Sequence, residues 1–120
     1  MKTMELTKLI ERTELHDSSL VQMAREGESV HLKFENVWVD DENCYTVSIT
    51  LGGVHDITCD DDVVNDLHME TEDGGVLAFK RSDTIAELFI TWTSYKPRVD
   101  ETRSYKFDYT TFNLHAEKQK

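Results

Sequence analysis

The stretch Val30-His31-Leu32-Lys33-Phe34-Glu35 decides how the rest of the chain reads. Val30, Leu32 and Phe34 alternate with His31, Lys33 and Glu35, the period of two expected of a strand with one buried face and one wet face. The strand continues through Val37-Trp38-Val39, and Asp40-Asp41-Glu42-Asn43 then makes a polar turn. Upstream, residues 20–25 read as the neighbouring strand, joined through a tight turn at Gly27. Downstream, Tyr45, Val47, Ile49 and Leu51 alternate in the same way.

Further out the period changes once. Residues 3–13 place Leu6, Leu9, Ile10 and Met4 on one stripe at spacings of three and four, so a short amphipathic helix is expected there, and its apolar face needs a sheet to lie on. Gly52-Gly53 admits a hairpin turn or a bulge within one long strand running to Thr58. The bulge is favoured, because a hairpin would set Asp56 opposite Ile49 on a buried face. Asp60-Asp61-Asp62 reads as non-strand, and residues 63–70 as a short helix or a strand with Leu67 and Met69 on one side. Gly74-Gly75 leads into a strand over residues 76–80, and Arg81-Ser82-Asp83 turns into residues 85–95. There Ala86, Leu88, Ile90 and Trp92 lie on one side and Phe89, Thr91, Thr93 and Tyr95 on the other, with no charge among them, as in a central strand. Residues 96–101 read as a loop. Tyr105, Phe107 and Tyr109 open a final strand running on through Phe112 and Leu114, with a bulge near Thr111. The expectation is a single α+β, mainly β, domain over residues 1–120. A short N-terminal helix precedes about six or seven mostly antiparallel strands, which form a curved sheet, a sandwich or a half-barrel.

Composition narrows the function classes. At 120 residues with one proline and five glycines, the chain suits one core and offers no interdomain linker. Its 13 Lys and Arg against 24 Asp and Glu leave a net charge of −11, which argues against nucleic acid or an anionic membrane as the main partner. No apolar run approaches the roughly 18 residues needed to cross a bilayer. Met1-Lys2-Thr3-Met4-Glu5-Leu6-Thr7-Lys8 has charges where a signal peptide would be apolar, so a cytoplasmic location is expected. Cys44 and Cys59 lack C-x-x-C spacing and read as reduced packing residues.

No nucleophile elbow, phosphate loop, zinc-protease helix or dinucleotide turn occurs, and no cofactor is implied. Carboxylate pairs are too numerous to single out a catalytic one. Imidazole and carboxylate ligands suited to zinc or manganese are present in His16-Asp17, in His55-Asp56 and in His68 near Asp66 and Glu70. The plainer reading of His16-Asp17-Ser18 is a polar connector whose side chains satisfy turn backbone groups. Asp60-Asp61-Asp62 fails the calcium-loop pattern, which needs a glycine at its sixth position and a glutamate at its twelfth.

The distribution of charge is the chain's most unusual feature. From Phe34 to Phe79 there is no Lys or Arg, while half of the acids fall there. That stretch reads either as a solubility device or as a surface for a basic partner, with Asp40, Asp41, Glu42, Asp60, Asp61, Asp62 and Asp66 supplying charge and Trp38 the apolar anchor.

Leu15-His16-Asp17-Ser18-Ser19-Leu20-Val21, the Gly27 turn, the strand Val30-His31-Leu32-Lys33-Phe34 and the step Leu51-Gly52-Gly53-Val54 together resemble small bacterial β-rich proteins of the immunity protein 50-like type, over residues 15–58. The resemblance implies a non-enzymatic β-rich domain that neutralises a toxin, with no active-site residues to carry over. Two readings follow. One is an acidic binding protein, an immunity protein or similar inhibitor, covering a basic surface of a partner such as a toxin. The other is a metal-binding domain or metal-dependent hydrolase using His16, Asp17, His55 and His68.

Overall fold

A computed structural model describes the backbone of residues 3–119 and the side chains of residues 5–119, so the side chain of Met4 lies outside the described residues. The elements are α1 (Thr3–Arg12), β1 (Ser19–Glu26), β2 (Ser29–Trp38), β3 (Cys44–Gly52), β4 (Ile57–Cys59), β5 (Asp62–Val64), β6 (Gly74–Arg81), β7 (Ile85–Tyr95), β8 (Arg98–Asp108) and β9 (Thr111–Lys118). The fold is mainly β. Among the described residues nine strands form one open sheet in the order β5-β4-β8-β7-β6-β1-β2-β3-β9, and every neighbouring pair is antiparallel.

The alternation that opened the sequence reading sets the faces. Val30, Leu32 and Phe34 are buried, and they pair with Leu51, Ile49 and Val47 across β2 and β3. A bulge at Glu35 and Asn36, where Asn36 takes φ +60, restores parity so that Val37 is buried and Trp38 points out. β1 and β2 meet in a two-residue turn in which Gly27 supplies φ +59. β7 is an interior strand carrying Ala86, Leu88, Ile90 and Trp92 into the core. Helix α1 contributes Ile10, fully buried, with Leu6 packed beside it.

The sheet is not flat. β8 ends at Asp108 and β9 begins at Thr111, yet five strands separate them in the sheet order. Six interstrand steps in a flat sheet would span about 29 Å, whereas three Cα–Cα steps reach about 11 Å. The sheet therefore bends until its two portions face each other around the core. The connector from β3 to β4 makes the same crossing, and Thr110 N bonds Gly52 O at 2.9 Å where the two crossings touch. β1 and β6 pair over two residues, Ser19 with Gly75 and Leu20 with Gly74, and the bonds Val76 N to Ser18 O at 2.9 Å and Asp17 N to Val76 O at 3.0 Å continue the contact upstream of β1.

Several expectations change accordingly. There are nine strands, because the chain crosses between portions at two places where the sequence suggests bulges. Gly52-Gly53 is neither hairpin nor bulge: Gly53 takes φ +65, and a Cβ there would overlap the Thr110 side chain of the other crossing. Thr111 likewise begins a separate strand on β3, where a bulge within one strand is expected. Residues 98–101 belong to β8, paired with β7 through a two-residue turn at Lys96-Pro97, whose peptide bond is cis. Residues 63–70 are not a helix; after the short β5 they run without regular structure. Asp60 and Asp61 form the β4–β5 turn, with φ +52 and +71, and Asp62 belongs to β5.

Candidate functional site

The tip of the β2–β3 hairpin joins apolar and acidic exposure. Trp38, directly opposite Cys44 in the ladder, is 55% exposed. Asp40 is an architectural residue. Its Oδ1 accepts from the backbone N–H groups of Glu42 at 2.8 Å and Asn43 at 2.7 Å, and the Asn43 side-chain amide donates to both of its oxygens at 2.9 Å. The Asn43 side-chain bond, followed by the Glu42 backbone bond, holds the Asp40 carboxyl below its ordinary range. Asp41 and Glu42 are exposed, and among the described residues their carboxylates make no hydrogen bond or ion pair. Tyr45 is half-buried and packs against the core.

A second acidic group sits on the β4–β5 hairpin, and Arg103 of β8 reaches into it. Asp60 accepts from Ser104 N at 2.8 Å and from Arg103 Nη1 at 3.3 Å. The same guanidinium binds Glu70 at 3.3 Å and Glu101 at 2.5 Å. Glu70 also accepts from the Tyr105 hydroxyl at 3.2 Å, and that hydroxyl accepts from Trp92 Nε1 at 3.1 Å. Burial pushes the Tyr105 phenol well above its ordinary value. Asp66 accepts from Leu67 N at 2.9 Å, while Asp61 and Asp62 stay exposed.

The stretch without cations in sequence is thus met in space by cations from outside it. Besides Arg103, Arg25 of β1 reaches the carbonyl oxygens of Asn65, at 3.3 Å, and of Val54 and His55, at 3.5 Å. The acids do not gather on one hairpin. Asp40, Asp41 and Glu42 lie between the seventh and eighth strands of the sheet order, and Asp60 and Asp61 between the first and second, with Asp62 opening the first.

His16, Asp17, His55 and His68 occupy different places. His16 Nδ1 lies 2.8 Å from Leu77 O and its Nε2 3.4 Å from Asp17, in a connector whose Ser18 hydroxyl donates to Leu15 O. His55 stands 4.0 Å from Glu28, and His68 lines a small recess with Asp66, Glu70 and Cys59. Among the described residues no three His, Cys, Asp or Glu side chains are grouped to hold a metal ion. Both thiols are free. Burial raises Cys44, and burial followed by the Asp60 charge raises Cys59, which keeps both protonated at neutral pH and poor nucleophiles. A cleft of about 370 Å³ lies between α1 and the β6–β7 turn. Its Arg81 is engaged by Glu11, by the Tyr109 hydroxyl at 3.3 Å and by the Phe112 ring at 3.8 Å. No described helix is long and apolar enough to cross a membrane.

Comparison with known proteins adds no family. No family model, no curated protein and no solved structure matches the chain. Function rests on the geometry of the surface. Sequence reasoning missed the Arg103 cluster, although a signal was present: Glu101, Arg103, Tyr105 and Phe107 share one face by alternation, which sets a charged pair in line with a buried aromatic row.

Proposed function

We propose that the chain is a non-enzymatic acidic binding protein, an inhibitor of the immunity-protein kind acting in the cytoplasm, and that the β2–β3 tip covers a basic surface of a partner such as a toxin domain. The observation that carries this reading is an exposed Trp38 beside two unpaired carboxylates, Asp41 and Glu42, on a molecule of net charge −11. An aromatic side chain of that size supplies affinity on desolvation, while the carboxylates steer approach and set orientation. Asp61 and Asp62 add field from the other hairpin, on a curved, half-barrel-like scaffold. Asp40 and Asp60 are assigned to turn architecture, since their oxygens are already occupied.

The test is affinity for a panel of purified basic toxin domains, measured at low and high salt. A cognate member should bind more weakly as salt rises, and Trp38→Ala or the pair Asp41→Lys and Glu42→Lys should each weaken it by tenfold or more. Binding that ignores both the salt and the tip variants would discard this surface as the binding site.

A further inference from the structure

We infer that β9 is a pairing edge through which two copies of this chain form an antiparallel, two-fold dimer, each sheet continuing into the other. The two ends of the sheet are built differently. β5 is three residues long, begins with Asp62 and follows the Asp60-Asp61 turn, so it is short and charged, as blunted edges are. β9 is eight residues long, pairs with β3 in unbroken register from Tyr45 to Gly52, contains no proline, and among the described residues has no strand on its outer side. Nothing in its sequence discourages a further strand. Phe112, Leu114 and Ala116 turn toward the core yet remain only partly buried, while Thr111, Asn113, His115 and Glu117 are exposed on the other face. The Arg81 guanidinium already lies on the Phe112 ring at 3.8 Å, and a strand added alongside would deepen the burial of Leu114 and Ala116.

Charge selects both occupant and direction. The strand carries only Glu117 and Lys118 as formal charges, the opposite of the heavily acidic β4–β5 end. The acidic β2–β3 turn lies at its Lys118 end, where Lys118 pairs with Tyr45 and Gln119 N bonds Cys44 O. Parallel pairing would bring two such turns side by side. Antiparallel pairing sets them at opposite ends of the strand, about 27 Å apart, well beyond the roughly 8 Å over which exposed charges act at physiological salt. With the two-fold axis at Leu114, that residue meets its own symmetry mate and Phe112 meets Ala116 of the copy. On the other face Asn113 meets His115, and Thr111 meets Glu117. Apolar side chains oppose apolar ones and no like charges meet. The dimer would display two acidic tips at its far ends.

Sedimentation equilibrium of the full chain over a concentration series tests this. The wild type should reach twice the monomer mass, and association should tighten as salt rises, because the repulsion between two chains of net charge −11 is screened. Partner binding by the acidic tip should move the other way with salt, so the two readings fail separately. Asn113→Lys with His115→Lys alters only exposed side chains and sets lysines opposite each other. It should weaken the dimer by tenfold or more even though it reduces the net charge to about −9. Asp41→Lys with Glu42→Lys should leave the dimer intact. As a check independent of the lysine variants, Leu114→Cys should give a disulfide-linked dimer on mild oxidation. A chain that stays monomeric at every concentration, a dimer indifferent to the paired lysines, or a Leu114→Cys chain that does not cross-link would each overturn the proposal.

Discussion

Asp61 occupies a backbone conformation that suits glycine, with φ +71 in the second position of a two-residue hairpin turn. Its carboxylate makes no bond that offsets this, unlike that of Asp60. Asp61→Gly should therefore raise stability by about 0.5 to 1 kcal/mol, read as a higher urea midpoint at unchanged slope. Tyr105 is the other residue whose chemistry is set by its surroundings, since it is 4% exposed and its hydroxyl stands between Trp92 and Glu70. Its phenol is held above the ordinary value of 10 by burial. Between that value and the higher native one, the unfolded chain loses the phenolic proton while the native chain keeps it, so stability falls as pH rises above 10. Tyr105→Phe should cost about 1 to 2 kcal/mol at neutral pH, because it strips the acceptor from the buried Trp92 N–H. The same variant should flatten the alkaline fall. Urea midpoints from pH 8 to 11 for both chains would show it, and parallel curves would count against a titrating Tyr105.

At the scale of elements, the segment from Asn65 to Asp73 has no ladder of its own and is held by side chains. Leu67, 6% exposed, enters the core, and Glu70 docks on Arg103 and Tyr105. Leu67→Ala should cost about 2 kcal/mol, the low end for a buried leucine because an irregular segment can settle into the space. Glu70→Gln should speed amide exchange locally over residues 65–73 while leaving the strands protected; exchange that rises uniformly would mean the segment is not a separate unit. The segment also shows where sequence reading stops. β2, β3 and β7 were legible because each alternates over at least five residues, β1 and β6 because the glycines at 27 and at 74–75 mark where they turn, and α1 because its apolar spacing is helical. β4 and β5 are three residues each, too short to carry a period. β8 and β9 follow one another with two residues between, so the parity change at Tyr109 and Thr110 looks the same in sequence whether it is a bulge or a crossing. The exposed turn acids and Trp38 were legible as candidates. The reach of Arg103 and Arg25 into the acidic region was not, because it depends on strand order, which alternation does not encode.

For the whole molecule, strand order decides both shape and charge. Pairing of β8 with β4 brings Arg103, and the crossing from β3 to β4 brings Arg25, to a region that has no cation of its own in sequence, and Arg103 pairs there with Asp60 and Glu70. β1 and β6 join along a two-pair seam, and at Gly74 the seam has no room for a side chain. A Cβ there would lie 2.6 Å from Ile90 Cγ2 and 3.0 Å from the Trp92 ring, both in the core. Gly75, one residue on, faces the other way, and the nearest atom to a Cβ there is Thr91 O at 3.8 Å. Adjacent glycines of one dipeptide should therefore respond differently. Gly74→Ala must displace Ile90 or Trp92 and should cost about 1 to 3 kcal/mol. Because Trp92 donates to Tyr105, which in turn donates to Glu70, that displacement should also perturb Trp92 fluorescence and loosen residues 65–73. Gly75→Ala should fall within about 0.5 kcal/mol of the wild type. Melting and tryptophan emission of the two variants side by side are the measurement. Equal stabilities would mean that the seam tolerates a methyl group at either position and that Ile90 and Trp92 yield to it without loss of packing.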